Sequence, residues 1–100
     1  MKILAQPKRL RLIYRQMVSL RFQGIRFAVY TMDHKPRHVH GFYAGIEAIV
    51  DLRPDGTVSL ANRTDAIRPS NGSKSDVRHI LAVAADRFDE LIALWEKHHG

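Results

Sequence analysis

Three of the six histidines in this 100-residue chain fall within Asp33-His34-Lys35-Pro36-Arg37-His38-Val39-His40. Imidazole both binds transition metals and exchanges protons near neutral pH, so spacing decides which chemistry is open to it. On an extended segment, His38 and His40 project to the same side because strand side chains alternate. Two such nitrogens with a carboxylate form a divalent transition-metal site, and His38, His40 and Glu47 are the expected ligands. His34, at the mouth of the preceding loop, is a candidate further ligand or proton carrier. A His38–Asp51 pair is instead a candidate oriented base. A structural reading stands beside these: the histidines pair with each other and with Asp33 and fix the bend at Pro36.

The elements around the motif follow from residue pattern. Ile25 to Met32 is rich in β-formers and reads as a strand. Two more strands are expected at about 37–43 and 46–52, joined by a tight Ala44-Gly45 turn. That turn pairs Tyr43 with Ile46, Phe42 with Glu47, His40 with Ile49 and His38 with Asp51. One face then carries Val39, Gly41, Tyr43, Ile46, Ala48, Val50 and Leu52 as the core face. The other carries His38, His40, Phe42, Glu47, Ile49 and Asp51, and a one-residue slip would destroy the separation.

Arg53-Pro54-Asp55-Gly56 signals a turn before a fourth short strand, Thr57 to Leu60. Residues 61–73 read as a polar loop with Pro69 and Asn71-Gly72. Ser73 and Asp76 form a capping-box-like pair. Val77, Ile80, Leu81, Ala84, Phe88, Leu91, Ile92 and Trp95 then keep one helical stripe to near Lys97. Phe88 and Trp95 are read as core anchors. Upstream, Leu10, Ile13, Tyr14, Met17 and Val18 follow helical spacing, whereas Leu10, Leu12 and Tyr14 also alternate as in a strand. A helix up to about Met17 is the preferred reading. The expected fold is therefore α+β: a meander of about four antiparallel strands packed on one long C-terminal helix. Residues 1–17 form a basic segment, helical or extended, and residues 18–100 a single domain.

Composition narrows the function classes. Apolar residues make up 45% and charged residues 26%, which suits a folded soluble chain. The absence of cysteine excludes disulfides, zinc-thiolate sites and cysteine nucleophiles. No apolar run is long enough for a membrane span. The opening MKILAQPKRL is too short in apolar residues for a secretory signal, so a cytoplasmic location is expected. Residues 1–32 carry seven bases and no acid, whereas the remainder carries nine bases and ten acids. A basic segment on a near-neutral body suits phosphates or an acidic partner, with Lys8, Arg9, Arg11 and Arg15 as the expected contacts. Ser19, Thr57 and Ser59 lack the context of an activated nucleophile, and no glycine-rich phosphate loop is present.

The motif has a family resemblance. Gly24, Asp33, His34, Pro36, His38, His40, Glu47 and Ala48 follow the pattern of a small bacterial family catalogued as domain of unknown function 4160. There the usual Pro-Pro-His-x-His carries Arg37 in place of its second proline. Glu90, Leu91 and Trp95 match the family's closing helix, so the resemblance covers about residues 18–97. It departs at SLANRTDAIRPSNG, which replaces a shorter Gly-x-Leu-Pro segment, and near Ala84 and Arg87. The resemblance implies an α+β fold and no assigned activity. Gene arrangements in that family look like toxin–antitoxin pairs, which implies a cognate small protein partner or a role with nucleic acid.

Two functions follow as expectations. The first is a small interaction module, a toxin–antitoxin component in the resemblance's terms, binding nucleic acid or protein through its basic N-terminal third. The second is a metal-dependent hydrolase or nuclease built on His34, His38, His40 and Glu47.

Overall fold

In a computed structural model, residues 17–99 are described. Six strands precede two helices: β1 (Met17–Phe22), β2 (Ile25–Tyr30), β3 (His38–Tyr43), β4 (Ile46–Leu52), β5 (Val58–Leu60), β6 (Ile67–Arg68), α1 (Lys74–Asp86) and α2 (Phe88–His99). All strands belong to one sheet ordered β1-β2-β3-β4-β5, with β6 also paired to β4. Every pairing is antiparallel. The α+β class and the meander are as expected, but the sheet has six strands rather than four. Among the described residues, no helix is long and apolar enough to cross a membrane.

The β3–β4 hairpin has the expected register, including His38 opposite Asp51, His40 opposite Ile49 and Phe42 opposite Glu47. Both turn residues lie in the left-handed region, Ala44 at φ 52° and Gly45 at φ 78°. That geometry matches the right-handed twist of the two strands it joins. The core face follows: Val39, Ala48, Val50 and Leu52 are buried with Ile25, Phe27 and Val29 of β2.

Three elements differ from the sequence reading. Met17–Phe22, where the expected helix ended at about Met17 and no element was assigned beyond it, is a strand, because Gln23 and Gly24, both at positive φ, fold it back onto β2. Val18 and Phe22 then pack against the core. The rest of the expected N-terminal helix lies outside the described residues. Ile67–Arg68, expected in a loop, pairs with Glu47–Ala48. The chain leaves β4 after β5 and returns to it: Ala61 N–H donates to Ile49 C=O, and Ile49 N–H donates to Ala66 C=O. Residues 62–65 thus form an excursion between two strands.

The expected single helix is broken at Arg87, whose N–H still donates to Val83 C=O. Asp89 and Glu90 occupy the first turn of α2, where their charge suits the helix dipole. The hydrophobic stripe is continuous across the break, so spacing alone could not reveal it. The break lets two helices tile a twisted sheet. The first lies over β3, β4 and β5, and the second over β1, β2 and β3. Ser73 caps α1, accepting from Asp76 N–H at 3.3 Å.

Gly41 on β3 lies directly under α1. A Cβ there would lie 2.7 Å from Ile80 Cγ2 and 3.3 Å from Phe27 Cε1. Gly41→Ala should therefore lower stability by ~1–3 kcal/mol, as overpacking typically does. Combined with Ile80→Ala, which removes the colliding methyl, it should cost clearly less than the sum of the two single changes. Urea unfolding of the four proteins in this cycle checks it, and strict additivity would refute the contact.

Candidate metal centre

β2 and β3 stay paired only from Arg26–Phe42 to Ala28–His40, then part. Tyr30 N–H, which a longer ladder would offer to β3, donates instead to Asp33 Oδ2 at 2.9 Å. Asp33 N–H in turn donates to Tyr30 C=O at 3.1 Å. This tight turn drops the Asp33 carboxylate into the gap between the strands, directly against two imidazoles. His38 is 6% exposed and His40 is 8% exposed, so both rings are largely out of water.

Each ring is pinned through Nδ1. His38 Nδ1 lies 2.8 Å from Pro36 C=O, and a carbonyl only accepts, so the nitrogen must donate. His40 Nδ1 lies 2.8 Å from Glu47 Oε2. Glu47 is itself held by Arg68, whose Nη2 and Nε donate to Oε1 at 2.6 and 3.1 Å. Both rings therefore aim Nε2 at Asp33 Oδ1, at 3.4 Å for His38 and 3.2 Å for His40. His38 Nε2 is not aligned for a hydrogen bond with that oxygen and has no other partner, although it is buried.

Hydrogen-bond arithmetic makes this arrangement unusual. With Nδ1–H committed elsewhere, a neutral imidazole presents a lone pair at Nε2, and here two lone pairs face one carboxylate oxygen. Either a second ring proton, donated from Nε2 to Asp33, or a shared cation resolves the conflict, and the raised His38 and lowered Asp33 pKa values reflect the first in the metal-free protein. The three atoms lie within 4.8 Å of one another. A tetrahedral ion with arms of about 2.0–2.1 Å separates its ligands by about 3.3–3.4 Å, close to the two Asp33 distances. The outer partners, a backbone carbonyl and a carboxylate, are those that orient metal-binding histidines.

The expected ligand set is thus placed differently in one respect. His38 and His40 converge, but the carboxylate beside their Nε2 atoms belongs to Asp33, while Glu47 stands behind His40. Residue spacing favoured Glu47 because it lies on the same face as His40, diagonally across the β3–β4 pair; the return of the 31–37 loop is a tertiary event. His34 is exposed at the rim. Asp51, opposite His38 on the neighbouring strand, lines a cleft of about 560 Å³ together with Asp33, His34, His38, Asn62 and Arg63. Sequence reasoning missed Arg68, Tyr30 and the excursion that supplies Asn62 and Arg63. Glu47–Arg68 is a cross-strand pair, but it could be read only by knowing that β6 returns to β4. Trp95, expected as a core anchor, is buried and also sits 5.3 Å from the His38 ring. Lys8, Arg9, Arg11 and Arg15 lie outside the described residues.

Electrostatics follow from the geometry. Burial would raise the Asp33 pKa, but the two imidazoles and the Tyr30 N–H outweigh it and hold the carboxyl well below its usual range. For His38, burial works against the charged form, yet Asp33 and the Pro36 carbonyl raise the pKa overall. Glu47 is lowered: His40 and Arg68 overcome its burial. A carboxyl depressed in the folded state contributes stability above its unfolded pKa of about 4, lost as pH falls through the folded value. Asp33→Asn should therefore flatten the acid limb of the stability–pH profile of the metal-free protein. Chemical denaturation between pH 2 and 7 checks this, and an unchanged acid limb would contradict it.

No curated protein and no solved structure matches the chain. A family model does: Domain of unknown function (DUF4160), over residues 24–96. The matched span runs from the β1–β2 turn through the Asp33–His38–His40 cluster and both helices to the residue after Trp95. The chain belongs to the DUF4160 family.

Proposed function

We propose that the protein is a divalent-metal hydrolase whose ion is held by Asp33 Oδ1, His38 Nε2 and His40 Nε2. The observation that carries this reading is the convergence of two Nε2 atoms on one carboxylate oxygen, with both Nδ1 atoms already committed. Two histidines and one carboxylate leave a fourth position for water, the pattern of catalytic rather than structural zinc sites. Zinc is the favoured ion on the ligand types and the near-tetrahedral spacing.

The cleft supports hydrolysis over storage. An ion at this point would lower the pKa of a bound water toward neutrality. Asp51 and His34 line the same cleft and are the groups placed to accept that water's proton. Glu47 and Arg68 keep His40 in the tautomer that ligates. Trp95 walls the far side of His38 and excludes water from it, which strengthens the electrostatics at the centre.

Zinc titration of metal-free, tag-free protein tests the assignment, with metal content after dialysis as the readout. One equivalent should be retained, with thermal stabilisation and a change in Trp95 fluorescence. Asp33→Ala, His38→Ala and His40→Ala should abolish retention. Glu47→Gln should weaken it by about 10–100-fold, as expected for a residue acting through its ligand. Substoichiometric zinc in the parent protein, or full retention in the three ligand variants, would overturn the reading.

A further inference from the structure

The face of the sheet away from the helices carries a second feature, two residues along β3 from the candidate metal centre. Cross-strand pairing aligns Arg21 with Arg26, Arg26 with Phe42, Phe42 with Glu47, and Glu47 with Arg68. Directly opposed residues share a face, so these five side chains form one transverse row on the face away from the helices. At about 4.8 Å per strand the row spans roughly 19 Å.

Its charge is out of balance. Glu47 is already taken up by Arg68 and His40. Among the described residues neither Arg21 nor Arg26 has a carboxylate within ion-pair distance. Yet the two stand directly opposite each other, where like charges destabilise a sheet. Arg26 is also held in place: its guanidinium lies 4.5 Å over the Phe42 ring, and Nη1 sits 3.6 Å from Met17 Sδ. An arginine held flat without an acid presents a rigid fork that suits a phosphate.

We infer that this row seats the phosphates of single-stranded nucleic acid, which is the substrate class of the metal centre. The substrate assignment rests on the metal-centre reading; the docking of phosphates on the row does not. His40 lies two residues from Phe42 on β3, so the row passes about 7 Å from a metal ligand. A strand seated on it runs beside the cleft mouth. Because His38 and His40 are recessed, a phosphate must leave the row and enter the cleft, which a flexible single strand does and a duplex backbone does not. Arg21 and Arg26 are fixed on paired strands.

Fluorescence anisotropy of a labelled oligothymidylate of about twelve nucleotides, with its oligouridylate counterpart, tests the docking on the full chain. Measurements on both metal-free and zinc-loaded protein separate it from the metal reading. Arg21→Ala/Arg26→Ala should weaken binding at least about tenfold at low salt. It should also make the salt slope shallower by about 1.4, as expected on losing two single-strand phosphate contacts. Arg21→Lys/Arg26→Lys should recover most of that slope. Lys74→Ala/Arg78→Ala, which removes the same charge from α1, should change little. Zinc retention should be unaffected in all of these variants. Equal losses in the sheet and helix variants, or binding unchanged in Arg21→Ala/Arg26→Ala, would overturn the inference. Displacement of the oligonucleotide by polyglutamate at equal charge concentration would also overturn it, marking an acidic-peptide surface instead. Docking that persists while zinc is not retained would leave the row standing and remove the metal-centred chemistry.

Discussion

The Ala44-Gly45 turn sets the pairing on which everything else depends. Two residues at positive φ join β3 to β4 with no slack, so each position on one strand has a fixed partner on the other. Side chains alternate, and the turn therefore decides which set meets the helices and which meets the cleft. Val39, Ala48, Val50 and Leu52 go to the core. His38, His40, Glu47 and Asp51 go to the opposite face. A slip of one residue would bury the charges and expose the valines, so the hydrophobic core and the chemical site share one constraint.

Asp33 is the second constraint, and it works by interrupting a strand pair rather than by completing one. Its carboxylate takes the Tyr30 N–H and fills the gap where β2 and β3 part. Its other oxygen, Oδ1, then faces both imidazoles. Burial makes this charge costly unless it is matched, and the two rings, Tyr30 and any bound cation match it. The outer layer is built in the same way: Arg68 on β6 neutralises Glu47, which orients His40. A seven-residue network of contacts thus links Tyr30 and Pro36 at one end to Arg68 at the other.

The excursion from Ala61 to Ala66 shapes the approach to the candidate site. Ala61 and Ala66 pack on Ile49 and close part of the second face. Between them, Asn62 and Arg63 form a wall of the cleft. Asp33, His38 and His40 lie within the span that the family model matches, and so does this wall of the cleft.

Local pattern was enough for the α+β class, the hairpin register, the core face and the convergence of His38 with His40, because these depend on period-two alternation and one tight turn. It was enough, too, for Ser73 as a helix cap and Trp95 as a core residue. It was not enough for β1, whose helical spacing gave way to pairing with β2, nor for the break at Arg87, across which the apolar stripe runs unbroken. The carboxylate beside the two Nε2 atoms was likewise out of reach. Spacing points to Glu47 because a same-face neighbour diagonally across the hairpin is predictable, whereas Asp33 arrives through a loop that closes in three dimensions. Arg68 joins the site only because the chain returns to β4 after leaving it. Alternation and turn chemistry are local and readable in one dimension; which carboxylate completes a site depends on long-range closure, and only the folded chain decides it.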